Sequence, residues 1–587
     1  MTLLLLLLLN LCSAAIYERV TDLPTQDFDY IIVGGGTAGN VLANRLTERH
    51  GISVLVLEAG RSTMDVPISQ VPFFCAPPTS GTSLDWNFTT TPQPGLNGRA
   101  ISYSRGFGLG GCSATNIMTY TRGSSQDYDR YARLSGDEGW AWDKMQSYFR
   151  RNERFVPSAD DHNTTGQYDP AVHGFEGITS VSIAEYPSVL DGRIIQATKE
   201  LFNESPFNVD YNSGYHLGIG WHQKTIGNGT RSSSEMSYLG PEYIDRANLY
   251  VLVDSHVTRI LVANDSAVID EGSKPYFDRI EFTQDAGKTM HTISARKEII
   301  LSAGVIGTPH ILLNSGVGHT DELAVLGITP TLHLPDVGKN LSDQLSMMVT
   351  WTVNDTQMIE CVYWRNETLR EEVLAEWQSN RTGFLANSPS NHLGFFRLED
   401  ELMEVDPCAG NKTGHYELVF SGGMDVIPVP ETGGYFTALV NVLCPLSRGS
   451  VTINSTHPLS PPVISPNTLT HEQDLMLMKH AIRGAQKFAA APVWADYILE
   501  LYTDLGNLEE SIRAHTRPAG HSVGTASMSP HNAPWGVVDP NLRLKRARGV
   551  RVVDASVLPY VPAGHTQAPV YAVAERAADL IKRGKFT

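Results

Sequence analysis

The chain is poor in cysteine, poor in basic residues and, beyond its first dozen positions, without long apolar runs. Six cysteines among 587 residues are too few and too widely spaced for a disulfide scaffold or a zinc site, and no metal is expected. Lys and Arg number 45 against 63 Asp and Glu, a formal net charge of −18. This shortage of positive charge argues against nucleic acid and anionic membranes as partners, since both demand basic patches. No later segment approaches the roughly 18 apolar residues of a spanning helix. Internal repeats and low-complexity tracts are missing too, which excludes solenoids and disordered tails. What remains is 41% hydrophobic and 18% charged, ordinary for a globular protein. The length exceeds one compact core, so two or more domains are expected.

The one apolar run, Leu3–Leu9, leads into Asn10-Leu11-Cys12-Ser13-Ala14-Ala15. It is too short to span a bilayer and ends in small residues, so residues 1–15 read as a secretory signal peptide. Asn-x-Ser/Thr acceptors at Asn87, Asn163, Asn203, Asn228, Asn264, Asn340, Asn354, Asn366, Asn380, Asn411 and Asn454 also point to an extracellular protein. Losing Cys12 with the signal leaves Cys75, Cys112, Cys361, Cys408 and Cys444, an odd number, so at least one thiol stays free. One disulfide is compatible with the spacing, either Cys361–Cys408 or Cys408–Cys444.

The most informative stretch is Asp29-Tyr30-Ile31-Ile32-Val33-Gly34-Gly35-Gly36-Thr37-Ala38-Gly39. An apolar β-type run enters G-x-G-x-x-G, a helical pattern follows through Leu46, and a second β-run, Val54–Leu57, ends in Glu58. Strand, glycine turn, helix, strand and acid make up a complete dinucleotide-binding unit. Gly34 permits the tight turn, Gly36 lets a pyrophosphate approach the backbone, and Gly39 lets the helix lie close to the strand. The helix start offers free N–H groups to phosphate, and Glu58 can accept hydrogen bonds from ribose hydroxyls.

The fold class is therefore α/β (α+β overall): a Rossmann-like dinucleotide domain with interleaved segments, plus a substrate domain with an antiparallel sheet and flanking helices. The first domain is expected over 27–62, 246–324 and 536–587. It includes β-runs at Leu249–Val253, Val257–Ile260, Glu298–Gly304 and Val550–Asp554. The regions 63–245 and 325–535 are expected to cover the cofactor and bind substrate. A second glycine loop, Arg105–Asn116, suits backbone laid against a flat ring or a phosphate. Ser302–Pro309 reads as a strand entering a glycine turn, with a helix capped by Thr308-Pro309 and stopped by Gly316 and Gly318. Near the C-terminus His521 and His565 each sit beside glycine in a loop, flanking Asp554. His515 offers a competing register for the first of them.

Taken in order, these motifs resemble the glucose–methanol–choline (GMC) family of flavin oxidoreductases from about Asp27 to the C-terminus. Both family signatures, Arg105–Gly123 and Gly304–Gly318, and both histidine loops are present. Within the family the likeness is to the secreted fungal branch of aryl-alcohol oxidases and pyranose dehydrogenases. Asp85–Thr90, Gly227–Ser234, Gly524–Pro530 and Trp535–Pro540 carry it, and Thr308–Ser315 and His415–Gly423 tilt it toward the pyranose dehydrogenases.

The resemblance implies FAD. Gly34, Gly36, Thr37, Ala38 and Gly39 would hold the diphosphate, Glu58 the ribose and the Val257 backbone the adenine. Arg105, Gly111, Asn116 and Met118 would lie along the pyrophosphate and isoalloxazine, and Asp554, Ala555, Thr566 and Gln567 would close over the flavin. His521 would take the hydroxyl proton of an alcohol, near the unperturbed histidine pKa of about 6.5, while His565 hydrogen-bonds the same oxygen. Three departures matter. Thr115 stands where pyranose dehydrogenases carry the histidine that bonds covalently to FAD, so noncovalent FAD is expected. Gly520 and Ser522 flank His521 in place of the usual aromatic and proline. Gln344 replaces the histidine that usually follows Asn340-Leu341-Ser342-Asp343, a change expected behind the site. Gly520 and Ile117 also thin the aromatic lining of an aryl-alcohol pocket, although Phe395 and Phe396 remain as a possible wall. The expected chemistry is oxidation of sugar or alcohol CH–OH groups by a monomeric enzyme, with a quinone or O2 as acceptor. The alternatives are an aryl-alcohol oxidase, a lyase on the same fold and a weakly active FAD-binding protein.

Overall fold

The computed structural model describes residues 16–24, 27–75, 81–263, 274–424 and 429–584. The signal-peptide reading and Asn264 fall outside them. The strand Asp27–Val33 is buried from Phe28 onward, and Val54–Leu57 is buried throughout. Such near-continuous apolar runs suit parallel strands covered on both faces. They sit inside an eight-stranded sheet. Its order is Ile16–Tyr17, Leu249–Leu252, Val54–Leu57, Asp27–Val33, His291–Leu301, Phe277–Thr283 and His256–Val262, with Val550–Val552 also paired to His291–Leu301. The first five strands and Val550–Val552 run parallel, while the last two return as an antiparallel ladder. This sheet is therefore assembled from stretches far apart in sequence. The helices Thr37–Thr47 and Gln567–Arg583 pack against each other, and Trp142–Asn152 packs on the latter.

The second sheet has six strands in the order His392–Phe396, Tyr416–Ser421, Gly434–Val442, Leu345–Val353 and Ile498–Leu501, with Arg517–Pro518 also on Leu345–Val353. All its pairings are antiparallel. Its strands come from 345–518 alone; 63–245 contributes helices and two-stranded ladders. The pleat sorts its side chains with period two. Tyr416, Leu418 and Phe420 share a core with Leu477, Met478, Ala481, Ile482, Ala485 and Phe488 of the helix Glu472–Ala489, spaced as one apolar stripe. The opposite face places Val419 in a separate cluster with Leu393, Phe395 and Ala563, and Glu417 shares that face.

Of the two possible disulfides, Cys408–Cys444 forms, with a Cα–Cα distance of 5.3 Å, and Cys75, Cys112 and Cys361 remain thiols. One expectation is corrected. The helix after Ser302 starts at Gly304, not at a Thr308-Pro309 cap, and runs to Asn314 with Pro309 inside it. Proline lacks the N–H that would bond to the carbonyl four residues back, here Val305. The Thr525 hydroxyl replaces it, donating to the Val305 oxygen at 2.7 Å. Asp554 supports the helix start, its Oδ2 accepting from Gly304 N at 3.0 Å and Thr308 Oγ1 at 2.6 Å.

Candidate active site

A cavity of about 590 Å³ is lined from both ends of the chain. Its floor is the first glycine turn. Gly34 has φ +99°, and a Cβ there would meet the Ser302 oxygen at 2.5 Å, so only glycine fits. The second glycine loop lies against the first: Gly110 N donates to Gly35 O at 2.8 Å, and a Cβ on Gly111 would come within 2.9 Å of Gly36 Cα. Helix Thr37–Thr47 begins at Gly36 with no side-chain cap, leaving its first N–H groups for an anion. Gly34, Gly36, Thr37, Ala38, Glu58, Arg105, Gly111, Asn116, Met118, Val257, Asp554, Ala555, Thr566 and Gln567 all line the cavity, as do His521 and His565. Gly39 does not. It packs beneath, where a Cβ would collide with the Gly34 oxygen at 1.9 Å, the helix-packing role expected of it.

Glu58 is buried, and its carboxylate accepts from Gly35 N at 2.8 Å and Gly60 N at 3.1 Å; burial raises its pKa. Val257 sits at a register shift between its strand and Phe277–Thr283. The Asn116 amide is spent within the protein: Oδ1 accepts from Met118 N at 3.0 Å and Arg231 Nη1 at 2.9 Å, and Nδ2 donates to Gln567. Met118 is fully buried at φ +65°, a left-handed backbone that costs about 1–3 kcal/mol in a non-glycine residue and clusters at functional sites. Thr115 ends the short turn Gly111–Ala114.

The two histidine rings stand 4.6 Å apart at 68°. Their tautomers follow from their neighbours. Gln344 donates from Nε2 to the carbonyls of Pro562 at 3.0 Å and Gly564 at 3.1 Å, so its Oε1 can only accept. It lies 2.7 Å from His521 Nδ1. His521 therefore carries its proton on Nδ1 and leaves Nε2 bare. Gln344 stands behind the expected base: it bonds to His521 and lines no part of the cavity. Asp343 holds the same loop by accepting from His521 N at 2.8 Å, and Arg105 donates to Gly520 O at 3.0 Å. Gly520 adopts φ +85°, a conformation that an aromatic residue would hold only at a cost.

His565 is held by Thr121. Its backbone N–H donates to Thr121 Oγ1 at 2.7 Å, and its Nδ1 lies 3.3 Å from the same oxygen. Glu417 Oε1 lies 3.7 Å from Nδ1, while Glu417 Oε2 accepts from Asn441 at 2.8 Å. Burial pushes the Glu417 carboxyl up to about 8. Of these two side chains only Thr121 is within hydrogen-bond distance of His565 Nδ1. Burial, then the nearby Arg105, lowers the His521 pKa to about 3; burial also takes His565 well below its usual value. The expected value near 6.5 for His521 is thus corrected: enclosure keeps the ring neutral far into acid. His515 ends the helix Leu508–His515, bonded to Ser511 O at 2.9 Å, and lines no part of the cavity.

Phe395 and Phe396 do not wall the cavity. Phe395 stacks on His216 at 4.5 Å and Phe396 on Tyr416 at 5.1 Å, both in cores. The bulky aromatics on the cavity wall are Trp86 and Phe88. They stack at 5.6 Å, and Trp86 meets His256 edge-on at 5.3 Å, beside Val257. Asp406, Cys408 and His415 have metal-ligand spacing, but Cys408 is spent in the disulfide.

The GMC oxidoreductase family models match residues 28–346 and 445–574. The chain is a GMC oxidoreductase. Among similar proteins, the dehydrogenase eriK of Hericium erinaceus is 40% identical, covering 97% of each chain. Pyranose dehydrogenase 3 of Leucoagaricus meleagris is 38% identical over 97% of this chain and 96% of its own. A formate oxidase of Aspergillus oryzae superposes with TM-score 0.85 at 28% identity, covering 95% of this chain and 98% of that one. A fungal aryl-alcohol oxidase does so with TM-score 0.80 at 25% identity, covering 95% and 99%. GMC oxidoreductases bind FAD, and this cavity fits such a group: a helix start open to diphosphate, two glycine loops without side chains, and a buried acid at the end of the second strand.

Proposed function

We propose that this GMC oxidoreductase is a secreted enzyme that oxidises CH–OH groups of sugars with noncovalent FAD, passing the electrons to a quinone or another organic acceptor. The observation that carries the reading is the histidine pair on the cavity wall, with rings 4.6 Å apart and Nδ1 of His521 tied to Gln344. A substrate hydroxyl can donate its hydrogen to bare Nε2 of His521, with the His565 ring beside it as a second hydrogen-bonding group. FAD, when bound, supplies the hydride acceptor. As the carbon-bound hydrogen leaves with its electron pair, the hydroxyl proton becomes strongly acidic, and a weak base such as neutral His521 suffices to take it. The Gly34, Gly36, Thr37 and Ala38 turn would hold the diphosphate, Glu58 the ribose, the Val257 backbone the adenine, and Arg105, Gly111, Asn116, Met118, Asp554, Ala555, Thr566 and Gln567 the flavin half.

Sugars are favoured over aryl alcohols because Phe395 and Phe396 are taken up in cores and Gly520 brings no side chain to the wall beside His521. Export is supported by the leader, by a disulfide suited to an oxidising compartment, and by exposed Asn163, Asn228, Asn354, Asn380, Asn411 and Asn454. Asn340 is an exception, its amide being bonded to Ser527 and Pro559. The test is anaerobic mixing of the yellow protein with sugars and benzylic alcohols, then reoxidation with O2 or benzoquinone. Bleaching by sugars and faster recovery with quinone is expected; bleaching by benzylic alcohols alone would overturn the substrate assignment. Acid denaturation should release all the FAD into solution, because Thr115 offers no ring nitrogen for a covalent link.

A further inference from the structure

Tyr120 N donates to Gln223 O and Thr225 N to Met118 O, and Thr119 pairs with Lys224 in an antiparallel bridge. In such an extended pair, side chains two apart share a face. Thr119 therefore projects on the same side as Thr121, which cradles His565, and lies about 7 Å from it along the strand. Thr119 also lines the cavity. Its hydroxyl lies 2.8 Å from His222 Nε2, a ring that no step of the proposed chemistry uses.

The direction of that bond is fixed from behind. His222 Nδ1 faces Ser390 O and Ser390 Oγ, both at 3.2 Å. The Ser390 hydroxyl gives its own hydrogen to His392 O at 3.0 Å, so both Ser390 atoms accept. His222 thus carries its proton on Nδ1, and burial keeps the ring neutral. Its bare Nε2 takes the Thr119 hydrogen. Thr119 Oγ1 is left with lone pairs only, an acceptor on the same wall as the histidine pair.

We infer that Thr119, oriented by His222, is a specificity residue that accepts a hydrogen bond from a second hydroxyl of the substrate, so the site selects polyols over monohydric alcohols. This rests on the reading of the chain as a sugar oxidoreductase. A monohydric alcohol satisfies His521 and His565 and leaves the Thr119 lone pair unmet.

The test compares Thr119→Val and Thr119→Ser with the wild type, all FAD-loaded, on D-glucose, its monodeoxy series and benzyl alcohol. Loss of one neutral hydrogen bond is worth about tenfold. The ratio of kcat/KM for D-glucose to that for benzyl alcohol should fall about tenfold in Thr119→Val and recover in Thr119→Ser. One deoxyglucose that is about tenfold poorer than D-glucose for the wild type should lose that handicap in Thr119→Val. Equal losses on both substrates, or an unchanged deoxy pattern, would overturn the Thr119 assignment alone. A wild type reduced by benzyl alcohol and by no sugar would overturn the sugar reading beneath it.

Discussion

His521 owes its tautomer to an amide 177 positions away in sequence. Replacing Gln344 with Leu removes the acceptor at Nδ1 and strips the Pro562 and Gly564 carbonyls of their donor. Flavin reduction in Gln344→Leu should slow by one to two orders of magnitude, and the fold should lose about 1–3 kcal/mol. Stopped-flow and thermal unfolding would measure the two effects separately. Burial and Arg105 together also set the acid limit of the base. A ring near 3 stays neutral at pH 5, so the rate of substrate-driven flavin reduction should hold from pH 7 down to about 5, not halve near the free-histidine pKa of about 6.5. The two histidines were legible in the sequence because each follows a glycine in a loop that matches the family. Gln344 was legible as a departure but not as a contact. Glu417 was not legible as part of the site: it sits on an inner strand whose pleat, rather than any local pattern, aims it at His565.

At the scale of elements, the first strand–turn–helix unit was readable because its glycines answer to contacts between near neighbours. A Cβ on Gly39 would strike Gly34, five residues back. Helix Gly304–Asn314 was misread at its start, since Pro309 inside a helix is tolerable only when a distant group repairs the lost bond. Thr525 is that group. In Thr525→Val the buried Val305 carbonyl goes unpaired. A loss of about 1–3 kcal/mol is expected, read as a lower midpoint in chemical denaturation with the slope unchanged. Thr525→Ser should retain most of the wild-type value. The antiparallel sheet was legible as a class, but its strand order was not, because edge and centre are decided by pairings between segments far apart in the chain.

The whole molecule buries neutral histidines and neutral carboxyls together. Burial takes His216, His392 and His521 down to about 3 and His310 to about 4. It raises Glu417 to about 8, Glu185 to about 7 and Asp191 to about 6. The depressed histidines contribute stability above their unfolded pKa of about 6.5 and lose it as pH falls toward 3. The raised carboxyls act oppositely: their contribution is full below an unfolded pKa of about 4 and is lost as pH climbs through the folded value. Between about pH 7 and 4.5 the two sets oppose each other, and below that only the histidine loss continues. The Tm should therefore fall most steeply below about pH 4.5; a fall already as steep between about pH 6 and 4.5 would show that the carboxyls are not raised enough to oppose the histidines. The interleaved domain, expected from segments dispersed along the chain, makes these groups report on one assembly, because the glycine loops and the histidine loops line the same cavity from both ends of the sequence. The most direct test of the account is a single-turnover, anaerobic measurement of flavin reduction by D-glucose in His521→Ala. The reduction rate should drop by about 10²–10⁴-fold with the flavin spectrum and its stoichiometry unchanged; a rate within a few-fold of wild type would contradict the role assigned to the histidine pair.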